Sequence, residues 1–395
     1  MSVQVRRLVP EEGPAAQRLG WEAFGMPGAD PPAPRIGLPG WHWWGAVEGS
    51  RVVAQAADRE FEGWFGGRVL PVAGVAGVTV AAEDRGRGVL GPLLLALLEH
   101  SRARGAVLST LFPSAPGIYH RAGFEVVGTV HRVDVPSSSL GALPPTPDVT
   151  LRRAGPADAE TVRRLYDAWA AGVDGALTRR GVSFPASDDE LVGAVTGITL
   201  AEGVDGEPLG YASWTRGRGG DAGPVLSVED LLATRRDAYT ALLRTVGGFS
   251  ALTATVRLRT SGDDLVRLLL PSADWSPTAE DLYMLKVLDV EAAFTDARCA
   301  PGLTFRSGFT LAGDVLADLD GSYAVMAENG RVSCVRAPAL DDRTLVPRGL
   351  ALLVTGAAPC RDLRVLGLLR GGDPAQDADW DAIVAGRVQA VLDGF

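Results

Sequence analysis

The hydrophobic pattern divides the chain into short strand-like runs and a few longer helical ones, with glycine and proline marking the breaks. Near the start, Arg6-Arg7-Leu8 opens a strand, Glu12–Phe24 fits a helix, and a proline-rich loop covers 26–34. Trp41, His42, Trp43 and Trp44 lead into two hairpin strands, Gly45–Glu60 and Val69–Val80, their rings predicted to pack in the core or a pocket wall. The second strand ends in Val78-Thr79-Val80 and enters a glycine-rich turn, Arg85-Gly86-Arg87-Gly88-Val89-Leu90-Gly91, followed by an apolar helix, Pro92–Ala103. A further apolar strand, Ala106–Phe112, ends at Pro113-Ser114.

The pattern then restarts. The stretch Pro136–Pro147 has the serine- and proline-rich composition of a linker. After it, Val149–Asp158 repeats the strand, proline turn and helix start of Val3–Glu11, and strands follow near Gly197–Ala201, Pro208–Thr215 and Val225–Leu232. Thr234-Arg235-Arg236-Asp237-Ala238 stands where a second glycine-rich turn would fall, so this copy is expected to be catalytically silent. From about Tyr283 the pattern changes again, to alternating strands near Gly302–Thr310, Gly321–Glu328 and Arg331–Arg336 and then helices. The expected division is 1–145, 146–283 and 284–395, in line with a length of 395 residues, too long for one ordinary core.

The turn after Val80 carries the clearest chemistry. Backbone N–H groups of such a turn and the positive end of the following helix converge on one spot, which suits a pyrophosphate, and Arg85 and Arg87 add fixed charge. Gly86-x-Gly88-x-x-Gly91 also matches the dinucleotide pattern GxGxxG. That reading is disfavoured, because the turn lies well inside the chain and the next strand ends in Pro113-Ser114 without the carboxylate that would hold a ribose.

Arg-x-x-Gly after a V-x-V strand instead resembles the acetyl-CoA turn of GNAT N-acetyltransferases, with Leu90 standing where that family usually has Gly or Ala. Gly117-Ile118-Tyr119-His120-Arg121-Ala122-Gly123-Phe124 is similar to the family's (F/Y)Y-x-(R/K)-x-G-F segment and, with R-G-V-L in the turn, resembles the Eis-type (enhanced intracellular survival) subgroup. The chain length fits that subgroup, and Leu285–Ala293 resembles the entry of its sterol-carrier-like module. The resemblance implies an α+β fold: tandem GNAT folds, each a mixed sheet with a splayed parallel pair flanked by helices, plus a sterol-carrier-like α+β domain. It also implies acetyl-CoA as cosubstrate, a homohexamer built as a dimer of trimers, and a cofactor site formed by Val78, Thr79, Val80, Gly86, Arg87, Gly88, Val89, Leu90, Gly91, Ser114 and Ala115. Ser114 would otherwise be an ordinary helix N-cap.

Acetyl transfer to an amine needs an acid for the departing thiolate and a base for the ammonium proton. Tyr119 carries the acid role by its place in the motif. Glu83, His100 and His120 lie near the motifs but read as surface or structural residues. In the Eis type the base is the chain's own terminal carboxylate, which assigns that role to Phe395; an α-carboxyl titrates near ~3.5 when exposed, so burial or anionic neighbours would have to raise it. Asp30, Asp58 and Glu60 are candidate partners of a cationic acceptor.

Composition agrees with this picture and narrows it. With 46% hydrophobic and 22% charged residues the chain reads as globular. Its start, MSVQVRRLVPEEG, lacks a signal-like apolar segment, and no apolar run is long enough to cross a bilayer, which gives the cytoplasm as the expected location. A net charge of −10 argues against nucleic acid and for cationic partners. Cys299, Cys334 and Cys360 lack metal spacing and read as reduced structural thiols, so no metal is expected and an acyl-cysteine intermediate is disfavoured. The expectation is therefore direct, sequential transfer to a primary amine of an aminoglycoside- or polyamine-like molecule. The alternatives are a non-catalytic acyl-CoA or lipid-binding scaffold, and a protein or peptide lysine acetyltransferase.

Overall fold

A computed structural model describes residues 3–25, 35–184, 187–217, 225–261 and 265–395. Twelve strands of the described chain join in one continuous sheet: β1 Gln4–Arg7, β2 Trp41–Glu48, β3 Arg51–Phe65, β4 Arg68–Val80, β5 Leu108–Leu111, β6 Glu125–Pro136, β7 Thr150–Arg153, β8 Gly197–Glu202, β9 Pro208–Arg216, β10 Val225–Ala233, β11 Thr255–Thr260 and β12 Ser276–Val287. Their order across the sheet is β1-β2-β3-β4-β5-β12-β6-β11-β10-β9-β8-β7. Adding or subtracting six from each strand number reproduces that order in reverse. The two halves are thus related by a pseudo-twofold, and they exchange their last strands: β12 lies beside β5, and β6 beside β11.

The exchange changes how the division at 283 reads. Tyr283 lies inside β12, which pairs with Gly128 at that point and continues to Val287 against Leu108 of the first half. Strand pairing across such distances leaves no local mark in the sequence, whereas the hairpins do. β2 begins at Trp41, earlier than expected, because its indole-bearing residues pair with Arg59–Ala56 of β3.

Three helices frame the region of interest: α1 Gly13–Ala23, α2 Leu90–Ala103 and α3 Pro116–His120. α2 forms because Leu93, Leu94, Leu97, Leu98 and Ser101 recur at helical spacing and bury one face against the sheet. Gly105, at φ +95°, follows its end. In the second half the turn after β10 leads into the helix Arg236–Gly247, the counterpart of α2.

The C-terminal part folds around a second sheet, with strands Arg331–Arg336, Gly321–Glu328, Phe305–Leu311, Thr344–Leu345 and Leu369–Arg370 in that order. Its core, including Phe309 and the fully buried Trp380, is continuous with that of the first half through Val287, Leu288, Val290 and Phe294. No described helix is long and apolar enough to cross a membrane.

Candidate active site

The sheet has two parallel pairs, β4 with β5 and β10 with β11. β4 and β5 pair only at Val72–Leu108, Ala73–Ser109 and Gly74–Thr110. Beyond Gly74 the strands part, and β4 runs on to Val80 with no partner on that side, leaving backbone N–H and C=O groups to face an open wedge. The register of β4 with β3 also slips by one residue between Ala76 and Thr79, where Gly77 adopts φ +59°. A β-carbon on Gly77 would stand 3.0 Å from the Trp43 ring, so glycine suits both the bulge and the packing.

A cavity of about 1000 Å³ opens from this wedge. Val78, Thr79 and Val80 form one wall, and Gly86, Gly88, Val89, Leu90 and Gly91 form the floor at the start of α2. Ser114, Ala115 and Tyr119 lie on the facing side. Ser114 does not cap α3, whose N-cap is Ala115, so its hydroxyl is left to the cavity. Gly86 and Gly88 have φ +80° and +74°, values that other residues adopt only with strain. Gly91 has no such φ and nothing of the protein within 4 Å of where its β-carbon would be.

Among the expected cofactor residues, Arg87 differs from the rest in its placement. It does not line the cavity; its guanidinium pairs with Asp84 and, at 3.1 Å, with Glu48. The buried Asp84 also accepts from Arg51 at 2.6 Å, and these hydrogen bonds, that from Arg51 foremost, hold its carboxyl below the usual range. Arg51, Asp84 and Arg87 thus brace the turn from behind. The cations that line the cavity are Arg85 and Arg121, whose guanidiniums form no hydrogen bond or ion pair with any described residue. Arg121 could be read from the (R/K) place of the tyrosine motif, and Asp84 from a lone carboxylate set between two arginines.

Tyr119 is 8% exposed, and its hydroxyl has no hydrogen-bond partner among the described residues. Burial pushes its phenol up to about 12, so it is a neutral donor at ordinary pH. Phe395 lies at the apex of the wedge. Its ring packs against Phe61 at 5.0 Å and Phe112 at 5.4 Å, and a β-carbon on Gly74 would stand 2.9 Å from it.

The chain from Val78 to Phe395 is thus arranged around one wedge: glycine turn, free cations, phenol and last residue. The family model described as "Acetyltransferase (GNAT) domain" matches residues 4–127, and a second with the same description matches 175–287. N-acetyltransferase Eis of Mycobacterium tuberculosis is 27% identical over 354 residues, 83% of this chain and 82% of that one. The chain belongs to the GNAT N-acetyltransferases, and within them to the Eis type. A solved GCN5-related N-acetyltransferase from Kribbella flavida superposes over the whole of both chains with a TM-score of 0.85 at 27% identity. Eis1 of Mycobacterium abscessus shares the fold, with a TM-score of 0.75 over both whole chains at 20% identity.

GNAT acetyltransferases use acetyl-CoA, and this site fits it: two unpaired guanidiniums and a helix N-terminus for phosphates, with free strand edges for the amide arm. Other candidate residues take structural places. Asp58 is fully buried and held by Arg104 at 2.8 Å and Ser101 at 2.7 Å, which removes it as an acceptor partner. His120 bonds Glu125 at 3.1 Å, and His100 packs edge-on to His42 with its pKa lowered by burial. Glu60 is the half-exposed carboxylate, bonded to His42 at 2.5 Å. Glu83 does not line the cavity, and Asp30 lies outside the described residues. Among the described residues no cluster of His, Cys, Asp or Glu could hold a metal ion.

Proposed function

We propose that the protein transfers the acetyl group of acetyl-CoA directly to a primary amine of a cationic small molecule of the aminoglycoside or polyamine kind. The observation that carries this reading is the single wedge between β4 and β5, with an unpartnered phenol on one side and the chain's last residue at its apex.

In this reading the thioester supplies the acetyl group, and the residues of the chain bind and move protons. Arg85, Arg121 and the N–H groups of the turn hold phosphates. Val78, Thr79 and Val80 offer backbone groups to the amide arm, with Ser114 and Ala115 facing them. The Phe395 carboxylate takes the ammonium proton, the amine nitrogen bonds to the carbonyl carbon, and the carbon–sulfur bond breaks as the Tyr119 hydroxyl gives its proton to sulfur; the second proton lost by the nitrogen then replaces it on the phenolate oxygen, leaving a neutral amide and a free thiol. The Cys334 and Cys360 thiols, pushed up to about 12 by burial, are poor nucleophiles, which supports sequential rather than ping-pong kinetics.

The same reading takes 1–145 as the catalytic half, 146–283 as the silent half and 284–395 as a sterol-carrier-like module, with β12 crossing the second boundary. It takes the enzyme as a cytoplasmic homohexamer, which sedimentation checks. The deciding experiment measures thiol release from acetyl-CoA across a panel of aminoglycosides, polyamines and arylalkylamines, with the native C-terminus and with residues added after Phe395. Amine-dependent release that the extension abolishes is expected. Release without any amine, or full activity of the extended chain, would overturn the reading.

A further inference from the structure

The pseudo-twofold gives the second half a wedge of its own. β10 and β11 pair from Val225–Thr255 to Val228–Leu258, and β10 then runs on to Ala233. In the first half the equivalent opening is the cavity; here it is filled. Asp230, the second residue beyond the last pair and 6% exposed, accepts both Nη atoms of Arg179 at 2.7 Å. Tyr211 and Ser213 of β9 donate to the same carboxylate at 3.2 and 3.0 Å.

Arg179 has one nitrogen left, and it reaches the end of the chain. Its Nε donates to Asp393 at 2.9 Å, and the Tyr166 hydroxyl donates to Asp393 Oδ2 at 3.2 Å. From the other lip of the wedge, Arg259, next after the last residue of β11 that pairs with β10, donates to the Leu392 carbonyl at 2.5 Å. The preceding residues are held as well: Asp174 N–H donates to the Val388 carbonyl, and Ala390 N–H to the Asp174 carbonyl, both at 2.8 Å. Arg179 does this from φ +55°, a backbone conformation unfavourable for a residue with a side chain.

We propose that the silent half serves the reaction as a clamp, in which Asp230 fixes Arg179 and Arg179 fixes Asp393, so that residue 395 is delivered to the wedge of the catalytic half. The proposal rests on the reading of the Phe395 carboxylate as the base. Only two residues separate the clamp from the terminus, a reach of at most about 7 Å, so the position of Asp393 confines that of Phe395. Gly394 between them is exposed and packs against nothing that would fix it otherwise. Arg179, Asp230 and Asp393 are positioning residues.

The test uses the full-length chain with an unmodified C-terminus and the variants Arg179→Met and Asp393→Asn. The second alters only the tail and spares the fold. Two readouts are taken: the rate at which carboxypeptidase releases Phe395, followed by mass spectrometry, and kcat with KM for an accepted amine beside acetyl-CoA affinity. Release about ten-fold faster or more is expected, with kcat falling about ten-fold or more and acetyl-CoA affinity kept within about two-fold. Arg179→Lys, which keeps a charge for Asp393, is expected to recover part of both. Unchanged release in both variants would overturn the clamp whatever kcat does. Faster release with unchanged kcat would support the clamp and overturn the terminal-carboxylate reading.

Discussion

Phe395 lies on Gly74, the last residue at which β4 and β5 still pair; a β-carbon there would come within 2.9 Å of the Phe395 ring and 2.5 Å of Phe61. The ring therefore occupies space that only a glycine leaves open. Gly74→Val should push the terminal residue out of the wedge while leaving the turn at Arg85–Gly91 intact. A misplacement of this size is expected to lower kcat on the order of 10²-fold. Acetyl-CoA affinity, measured by calorimetry, should change by less than about three-fold. Turnover within about two-fold of the parent would separate the terminal residue from the chemistry.

Tyr119→Phe removes one hydroxyl and little else, because the ring packs edge-on to Phe124 at 6.2 Å and the hydroxyl bonds no described residue. The expected loss is about 10²–10⁴-fold in kcat with acetyl-CoA affinity kept. Burial raises this phenol to about 12, above the ~10 of a free tyrosine. The folded enzyme thus keeps the proton where a free phenol would release it. The ratio of parent to Tyr119→Phe kcat should stay level through about pH 10 and fall only as pH approaches about 12. A ratio that collapses well below pH 10 would contradict the donor role.

How much of this the sequence discloses depends on how far apart the cooperating residues lie. From Val78 to Phe124 strand, turn, helix and tyrosine follow in order; the turn marks Gly86, Gly88 and Gly91 as an anion site, the motif resemblance adds Tyr119, and all four line one cavity. The same locality misleads at Arg87: its charge looks free in the turn, but Glu48 of β2 and Asp84 neutralise it. The exchange of β6 and β12 is a pairing between segments about 150 positions apart, as with Asp134 and Ser276. No composition or period marks such a partner. Asp230, Arg179 and Asp393 share no motif either, and only the folded sheet brings them together.

The division of labour among the arginines is measurable. Arg85 and Arg121 line the cavity without partners, so each is free to bond a phosphate, an interaction worth about 1.5–3 kcal/mol. Arg85→Ala and Arg121→Ala should each weaken acetyl-CoA binding by about 10–100-fold without moving the melting temperature. Arg87→Ala should instead loosen the brace on Asp84, seen as faster amide exchange across 84–91, with the smaller effect on affinity. The reverse ranking in calorimetry would return the phosphate contact to Arg87.

The only lysine of the chain is buried where the modules meet. Lys286 of β12 places Nζ 2.7 Å from both carboxylate oxygens of Asp314, and both side chains are 1% exposed. Asp314 also accepts from the Leu316 N–H at 2.8 Å and neighbours Val315, which lines the cavity. Lys286→Ala would leave a buried carboxylate with no cation, a change that costs about 3–5 kcal/mol. Removing both charges together, in Lys286→Met with Asp314→Leu, should cost much less, because the buried charge disappears with its partner. Thermal melts of Lys286→Ala, Asp314→Leu and the double variant check this. A double variant as unstable as Lys286→Ala would show that the shape of the site, rather than the charge left behind, sets the penalty.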